Sequence, residues 1–236
     1  LYELQSDGTN LAGASAGPFN LRESVLRKTA GAGVSVLQPQ VNNYGGLIEV
    51  LSGRIAFSYF AQTAGVIRLN GGDVSFPSFI MHAGLIEGTG TVSVGTLTSS
   101  GVVSPGLSSL GVLSISGNYN QTSTGSLNVA LGGTTAGSGY DQLAVSGSAT
   151  LNGALNVSLT NSFTPARGQS FQVLSSSSRT NGFASTNLPA RSGGLRWQVN
   201  YSGTGVRLDV VESIHLAATN YSVSESAGSV SLLLNR

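Results

Sequence analysis

The chain has 236 residues, with 33 Gly, no Cys, 9% charged residues and a net charge of +1. Without Cys there is no disulfide scaffold, thiolate metal site or cysteine nucleophile. Eleven basic against ten acidic residues leave no basic footprint for nucleic acid, and 40% hydrophobic residues are too many for a disordered low-complexity chain. Six Pro without a Gly-X-Y period exclude collagen.

No apolar run approaches about 18 residues, so no membrane span is expected in this chain. No basic and apolar leader follows Leu1, so a signal peptide is expected to have been removed and the chain to be a processed or excised piece. Few charges with abundant Gly, Ser, Thr and Asn fit a secreted bacterial surface protein better than a cytosolic enzyme.

Residues 1–29 read as an N-terminal segment or incoming coil. Within them Leu21, Val25 and Leu26 offer the one short helical stripe of the chain. The same stretch carries Arg22, Glu23, Arg27 and Lys28, the only Lys, and reads equally well as a solvated turn or cap.

From residue 30 the pattern is β. Short alternating runs such as Val34-Ser35-Val36, Leu47-Ile48-Glu49-Val50 and Val66-Ile67-Arg68-Leu69 are bounded by Gly, Asn or Ser, the signal of half-buried strands. A Gly followed by alternating or apolar residues recurs at Gly46-Leu47-Ile48-Glu49, Gly65-Val66-Ile67-Arg68, Gly84-Leu85-Ile86-Glu87 and Gly101-Val102-Val103. The steps are 19, 19 and 17 residues, within the period range of stacked repeats. Residues 30–135 are therefore expected to form coils of a right-handed parallel β-helix, or β-solenoid. A β-sandwich with regularly spaced turns is the alternative. In the stacked register Glu49, Arg68 and Glu87 fall in one column, about 4.8 Å apart per rung. The column reads as a surface charge ladder that avoids like-charge stacking, or alternatively as a glycan-binding or catalytic strip.

Residues 136–211 change rhythm and are read as terminal coils and a β-rich C-terminal cap. Longer strands such as Gly153-Ala154-Leu155-Asn156-Val157-Ser158-Leu159 precede a stretch rich in aromatics, among them Phe163, Phe171, Phe183, Trp197 and Tyr201. A cap of this kind covers the open apolar end of a stack and blocks edge pairing.

Several of these segments carry a resemblance. Gly88-Thr89-Gly90-Thr91-Val92, Gly101-Val102-Val103-Ser104-Pro105-Gly106 and Gly111-Val112-Leu113-Ser114-Ile115-Ser116-Gly117-Asn118-Tyr119 resemble a signature of autotransporter-like and other large bacterial surface proteins. Tyr140-Asp141-Gln142-Leu143-Ala144-Val145-Ser146-Gly147 and Phe163-Thr164-Pro165-Ala166-Arg167-Gly168-Gln169-Ser170-Phe171 are similar to the same families, so the likeness spans about 30–211. It implies a right-handed parallel β-helix with its C-terminal cap, used as a stalk or passenger of adhesins and exoproteins, with no active site attached to these motifs.

After the cap, residues 212–236 read as a linker and first strands. Ala218-Thr219-Asn220-Tyr221-Ser222-Val223-Ser224-Glu225-Ser226-Ala227-Gly228-Ser229-Val230-Ser231-Leu232 resembles the opening of a Calx-beta domain, which implies a two-stranded immunoglobulin-like fragment. In calcium-binding members the Glu at the position of Glu225 is a ligand. A Ca²⁺ site needs about six to eight oxygens, so Glu225 alone makes none unless a complete Calx-beta site forms. The strands carrying Tyr221, Val223, Val230, Leu232 and Leu234 are a candidate for strand exchange with a neighbouring chain, because an isolated hairpin is marginal.

The ten acidic residues are thinly spread, and the two His, His82 and His215, have no metal-ligand spacing. No G-x-S-x-G elbow occurs. Trp197 and Tyr201 read as cap residues before they read as a sugar platform. The expectation is a non-catalytic structural component of an extracellular or bacterial cell-surface protein: an adhesin stalk, passenger or filament. No cofactor, catalytic residue or nucleic-acid partner is expected. Partners are other copies, surface proteins or glycans. The rival readings are a carbohydrate-active β-helix, either glycan-binding or a polysaccharide lyase or hydrolase, and a filament assembled by strand exchange through 219–235.

Overall fold

A computed structural model describes residues 1–10, 17–213, 215–216 and 234–235. Every element among them is a strand, so the all-β expectation holds. The strands are β1 (Tyr2–Leu4), β2 (Gly8–Asn10), β3 (Phe19–Leu21), β4 (Val25–Lys28), β5 (Val34–Val50), β6 (Arg54–Leu69), β7 (Asp73–Ser75) and β8 (Phe79–Met81). Next come β9 (Leu85–Gly88), β10 (Thr91–Ser99), β11 (Val102–Pro105), β12 (Val112–Gln121), β13 (Ser126–Leu131), β14 (Gln142–Val145), β15 (Ser148–Thr150) and β16 (Ala154–Leu159). The last are β17 (Ser170–Ser175), β18 (Ser178–Thr180), β19 (Ser185–Asn187), β20 (Leu195–Ser202), β21 (Gly205–Glu212), β22 (His215–Leu216) and β23 (Leu234–Asn235).

The chain pairs in parallel with itself, one pass against the next. The Gly-Leu-Ile-Glu repeat of the sequence is this register: Leu47 faces Val66, Val66 faces Leu85 and Leu85 faces Val102. Alternation then does the rest, because odd and even positions point to opposite faces. Leu26, Ile48, Ile67, Ile86, Val103, Leu127 and Leu155 follow one another rung by rung, and all are fully buried. A second inward column runs Ser35, Ile55, Val74, Val92, Ile115, Val145. The β-branched side chains prominent in these columns suit a pleated, packed surface.

Parallel pairing runs from Tyr2, opposite Leu26, to Asn187, opposite Asn156. Beyond that the direction reverses. β21 lies antiparallel on β17 and β20 antiparallel on β21. Phe171, Val206, Leu208 and Val210 are buried there, and Trp197 meets Phe171 at 6.0 Å between ring centroids.

The stretch 21–29 is not a helix: Arg22 and Glu23 form an exposed bend, as the turn reading has it, but the residues after it are a strand. Leu21 ends β3, and β4 pairs in register with both β1 and β5. Leu26 and Lys28 point inward and are fully buried, while Arg27 takes the outward position between them. Lys28 tolerates burial because its three protons have three acceptors: Asp7 Oδ1 at 2.9 Å, the Ala30 carbonyl at 2.8 Å and Ser35 Oγ at 3.0 Å.

The recurring Gly has a steric cause. A Cβ on Gly101 would stand 2.5 Å from the Gly84 carbonyl oxygen; one on Gly84 would strike the Gly65 carbonyl, and one on Gly65 the Gly46 carbonyl. Gly65 and Gly84 also have φ of +89° and +97°, where other residues are strained. Gly65→Ala is therefore expected to cost about 2 kcal/mol or more, from αL strain and overpacking together. Gly203→Ala, with open space around its Cα, should stay within about 0.5 kcal/mol of the parent. Urea unfolding of the two variants side by side checks the contrast.

Candidate functional site

Glu49, Arg68 and Glu87 do fall in one column, and the column is longer than those three. Glu3 faces Arg27, Arg27 faces Glu49, Glu49 faces Arg68, Arg68 faces Glu87, and Ser104 follows. Arg27 Nε donates to Glu49 Oε2 at 2.6 Å and Arg68 Nε to Glu87 Oε1 at 2.8 Å; Arg68 Nη1 lies 3.8 Å from Glu49 Oε1. The Glu49 side chain is only 10% exposed, held between two guanidinium groups that are each 35% exposed. Where the charges end, amides take over. Asn128, Asn156 and Asn187 stack, with Asn156 Nδ2 donating to Asn128 Oδ1 at 2.7 Å and Asn187 Nδ2 to Asn156 Oδ1 at 2.6 Å. Each rung thus presents a partner of opposite sign, or of matching donor and acceptor, to the next.

The other expected residues are dispersed. Asp73 pairs loosely with Arg54, 3.7 Å apart, and Asp73 Oδ1 accepts the Thr91 N–H at 2.7 Å. His82 is exposed, and its backbone N–H donates to the Gln62 carbonyl. Trp197 Nε1 donates to the Pro189 carbonyl at 2.9 Å, and Tyr201 carries Arg179 over its ring at 5.1 Å. Glu225 and the proposed assembly positions Tyr221, Val223, Val230 and Leu232 lie outside the described residues. Leu234 belongs to β23 and pairs antiparallel with Leu216 of β22. Among the described residues no group of three or more His, Asp or Glu is placed to hold a metal ion. No helix among them is long and apolar enough to cross a membrane.

Two features escape the sequence. The first is a polar column inside the stack. Asn43 faces Gln62, Gln62 faces Met81, Met81 faces Ser99, and Ser99 faces Gln121; all five are buried. Their side chains close the corners at the glycines. Asn43 Oδ1 accepts the Gly46 N–H at 2.8 Å, and Gln121 Nε2 donates to the carbonyls of Gly125, Asn152 and Ala154. The signal was available as a polar residue or Met three positions before Gly46, Gly65 and Gly84.

The second is Asp141. It is 5% exposed, and both carboxylate oxygens face backbone donors: Oδ1 accepts from Gly111 N–H at 2.8 Å and Oδ2 from Ala130 N–H at 2.9 Å. Burial pushes its carboxyl up to about 6, against the pull of these two bonds. Beside it lies a cavity of about 210 Å³ whose lining includes Ser104, Asn128, Asn156 and Ser158.

Asp7 and Asp209 shift the other way. The hydrogen bonds from Lys28 and the Gly33 N–H hold Asp7 below the usual carboxylate range. Burial raises Asp209, but bonds from Ser170, Arg207 and Asn200 and the Arg207 charge together outweigh it and hold Asp209 low.

No family model matches the chain. No curated protein matches it either. The chemistry of these sites therefore rests on the geometry alone, and that geometry is one of paired charges and capped corners.

Two outcomes follow. Asp141 keeps its proton to a higher pH when folded than when unfolded, so its contribution is complete below about pH 4 and lost as pH rises through about 6. A shift from 3.8 to about 6 corresponds to a fall of up to about 3 kcal/mol across that window. Asp7 and Asp209 act below it, where their lowered values add stability as pH rises toward 4. Urea midpoints from pH 4 to 7 should therefore decline, and Asp141→Asn should flatten the decline. In the charged column, Glu49→Lys places a cation between Arg27 and Arg68 and is expected to cost about 2 kcal/mol, less at 1 M salt than at low salt. Denaturation at the two ionic strengths measures it.

Proposed function

We propose that the chain is a structural, non-catalytic segment of a secreted or cell-surface bacterial protein, in the manner of an adhesin stalk, passenger or filament. In this reading the parallel passes form a right-handed parallel β-helix, with β20 and β21 folded back as its C-terminal cap. Residues 212–236 would lead into a Calx-beta-like module. The observation that carries the reading is the parallel pairing of pass on pass from Tyr2 to Asn187, which resumes after each local register shift and stacks side chains in columns.

The use of charge supports the same reading. Glu49 and Glu87 have their carboxylates on Arg27 and Arg68, and Asp141 has both oxygens on backbone N–H groups. A stalk needs stiffness along its axis. Backbone ladders, ion pairs between rungs and Asn stacks all act in that direction.

Because the chain lacks Cys, a pair of introduced cysteines is unique and can carry spin labels. From Ala61 the outward positions run through Ile80, Thr98, Asn120 and Thr150 to Thr180. Five rungs of stacking put Ala61→Cys and Thr180→Cys about 24 Å apart. A double electron–electron resonance distance centred near that value supports stacked rungs. One beyond about 35 Å or below about 15 Å overturns them. For the non-catalytic part, incubation with pectate, alginate, xylan and peptidoglycan should release neither reducing ends nor unsaturated products. Release that Glu49→Gln or Asp141→Asn abolishes would make the chain an enzyme.

A further inference from the structure

At one bend the pairing between passes opens. Register jumps from Leu37 opposite Phe57 to Gln40 opposite Tyr59, so Gln38 and Pro39 together oppose Ser58. In the next pass Pro77 sits between Phe76 and Ser78 at the same place, and Pro supplies no backbone donor to close the ladder. An open cavity of about 670 Å³ lies there, lined by Gln40, Ser58, Tyr59, Phe60, Pro77 and Ser78. Its size falls within the range of ligand clefts.

The bend is firm. Phe57, Phe60, Phe76 and Phe79 pack together at centroid distances of 4.6–5.1 Å, and three of the four are buried. Tyr59 behaves differently. It is 68% exposed and, among the described residues, makes no ring contact, no cation–π contact and no side-chain hydrogen bond. The hydroxyls of Ser58 and Ser78 likewise have no partner among the described residues. Gln40 donates from Nε2 to Asn42 Oδ1 at 2.9 Å, which leaves its Oε1 as an acceptor. No Asp, Glu, Lys, Arg or His lines the cleft.

We propose that this cleft binds a neutral oligosaccharide or a stretch of neutral polysaccharide, with a pyranose ring lying on Tyr59. A free aromatic face suits the C–H face of a sugar, and the rigid ring holds it at little entropic cost. Two hydroxyls and a carboxamide answer sugar hydroxyls, directly or through water. The lack of charge selects against uronic and sialic acids, because a carboxylate desolvated there would find no cation. The open side lets a polymer pass through rather than enclosing a metabolite. The site depends on the local bend and not on the stalk reading, so either can fail alone.

The test uses the whole ¹⁵N-labelled chain, titrated with cellohexaose, maltohexaose, laminarihexaose, mannohexaose and chitohexaose, with polygalacturonate as the charged comparator. At least one neutral hexasaccharide should shift the amide signals of Gln40, Ser58, Tyr59, Phe60 and Ser78 at millimolar concentration. Tyr59→Ala should weaken that binding about tenfold or more, while Tyr59→Phe, which keeps the ring, should stay within about threefold. Tyr59 is a surface residue, and the same spectra report whether each variant remains folded. The proposal is overturned if none of the five neutral probes shifts these signals, if Tyr59→Ala binds as tightly as the parent, or if polygalacturonate binds in preference.

Discussion

Each pass of this chain is held to the next at one recurring corner, and that corner rests on an absent side chain. The Gly84 carbonyl accepts the Val102 N–H at 2.9 Å, the Gly101 carbonyl accepts the Ser126 N–H at 3.0 Å, and the Gly125 carbonyl accepts the Ala154 N–H at 3.0 Å. A Cβ on Gly101 or Gly153 would lie on the carbonyl of the glycine one pass before, and one on Gly125 would lie 2.5 Å from the Ser99 carbonyl. The column Gly46, Gly65, Gly84, Gly101, Gly125 and Gly153 is thus one constraint repeated. Backbones must approach to rung spacing at a corner, and only glycine leaves room. Ladder register, and with it every side-chain column, inherits its phase from these contacts.

Once phase is set, a position in one pass fixes the neighbour of the same position in the next. That makes stacking selective about charge and hydrogen bonding. Two carboxylates one rung apart would repel across about 4.8 Å, so Arg27 and Arg68 interleave with Glu49 and Glu87. Amides tolerate stacking on themselves because each carries both donor and acceptor, as Asn128, Asn156 and Asn187 do. The inner polar column obeys a second rule. Corner N–H and C=O groups that turn away from the ladder need partners inside, and Asn43, Gln62 and Gln121 reach them. Among the described residues Asn43 Nδ2 and Gln62 Oε1 have no partner, a buried donor beside a buried acceptor on adjacent rungs.

The same logic explains what could be read in advance. Glu49, Arg68 and Glu87 were legible because their passes are short and nearly equal, so Gly-x-Ile-Glu and Gly-x-Ile-Arg align by eye. Arg27 and Glu3 belong to the same column but escaped. Their passes are longer, and Arg27 sits beside Lys28 in a run whose charges resemble a solvated turn. Lys28 shows why: an inward polar residue with three acceptors has no hydrophobic signature, and alternation in β4 is visible only once burial is known. Asn43, Gln62 and Gln121 hid for the same reason. Composition and period reported the strands, but hydropathy could not report polar groups whose partners are backbone atoms brought in by stacking. The bend at Pro39 and Pro77 was invisible because the pass with Pro39 carries one residue more than its neighbour, whereas the pass with Pro77 keeps a constant offset of 19 on both sides of the bend.

The later passes show how the constraint survives when a pass lengthens. From Leu113 to Leu143 the chain covers 30 residues before returning to register, against 19 from Ile48 to Ile67. The added length includes residues 132–139, which fold back so that Gly132 N–H meets the Gly139 carbonyl at 2.8 Å. Such an excursion costs closure entropy and leaves backbone donors exposed at its base. Asp141 stands where that excursion ends. Its two oxygens bridge Gly111, which begins the return to β12, and Ala130, which lies in β13. One carboxylate therefore ties the base of the long loop to both neighbouring strands. The desolvation that raises its pKa is the cost of placing two acceptors at that point, and it explains why the stability of the later passes should respond to pH while that of the short ones follows their ion pairs.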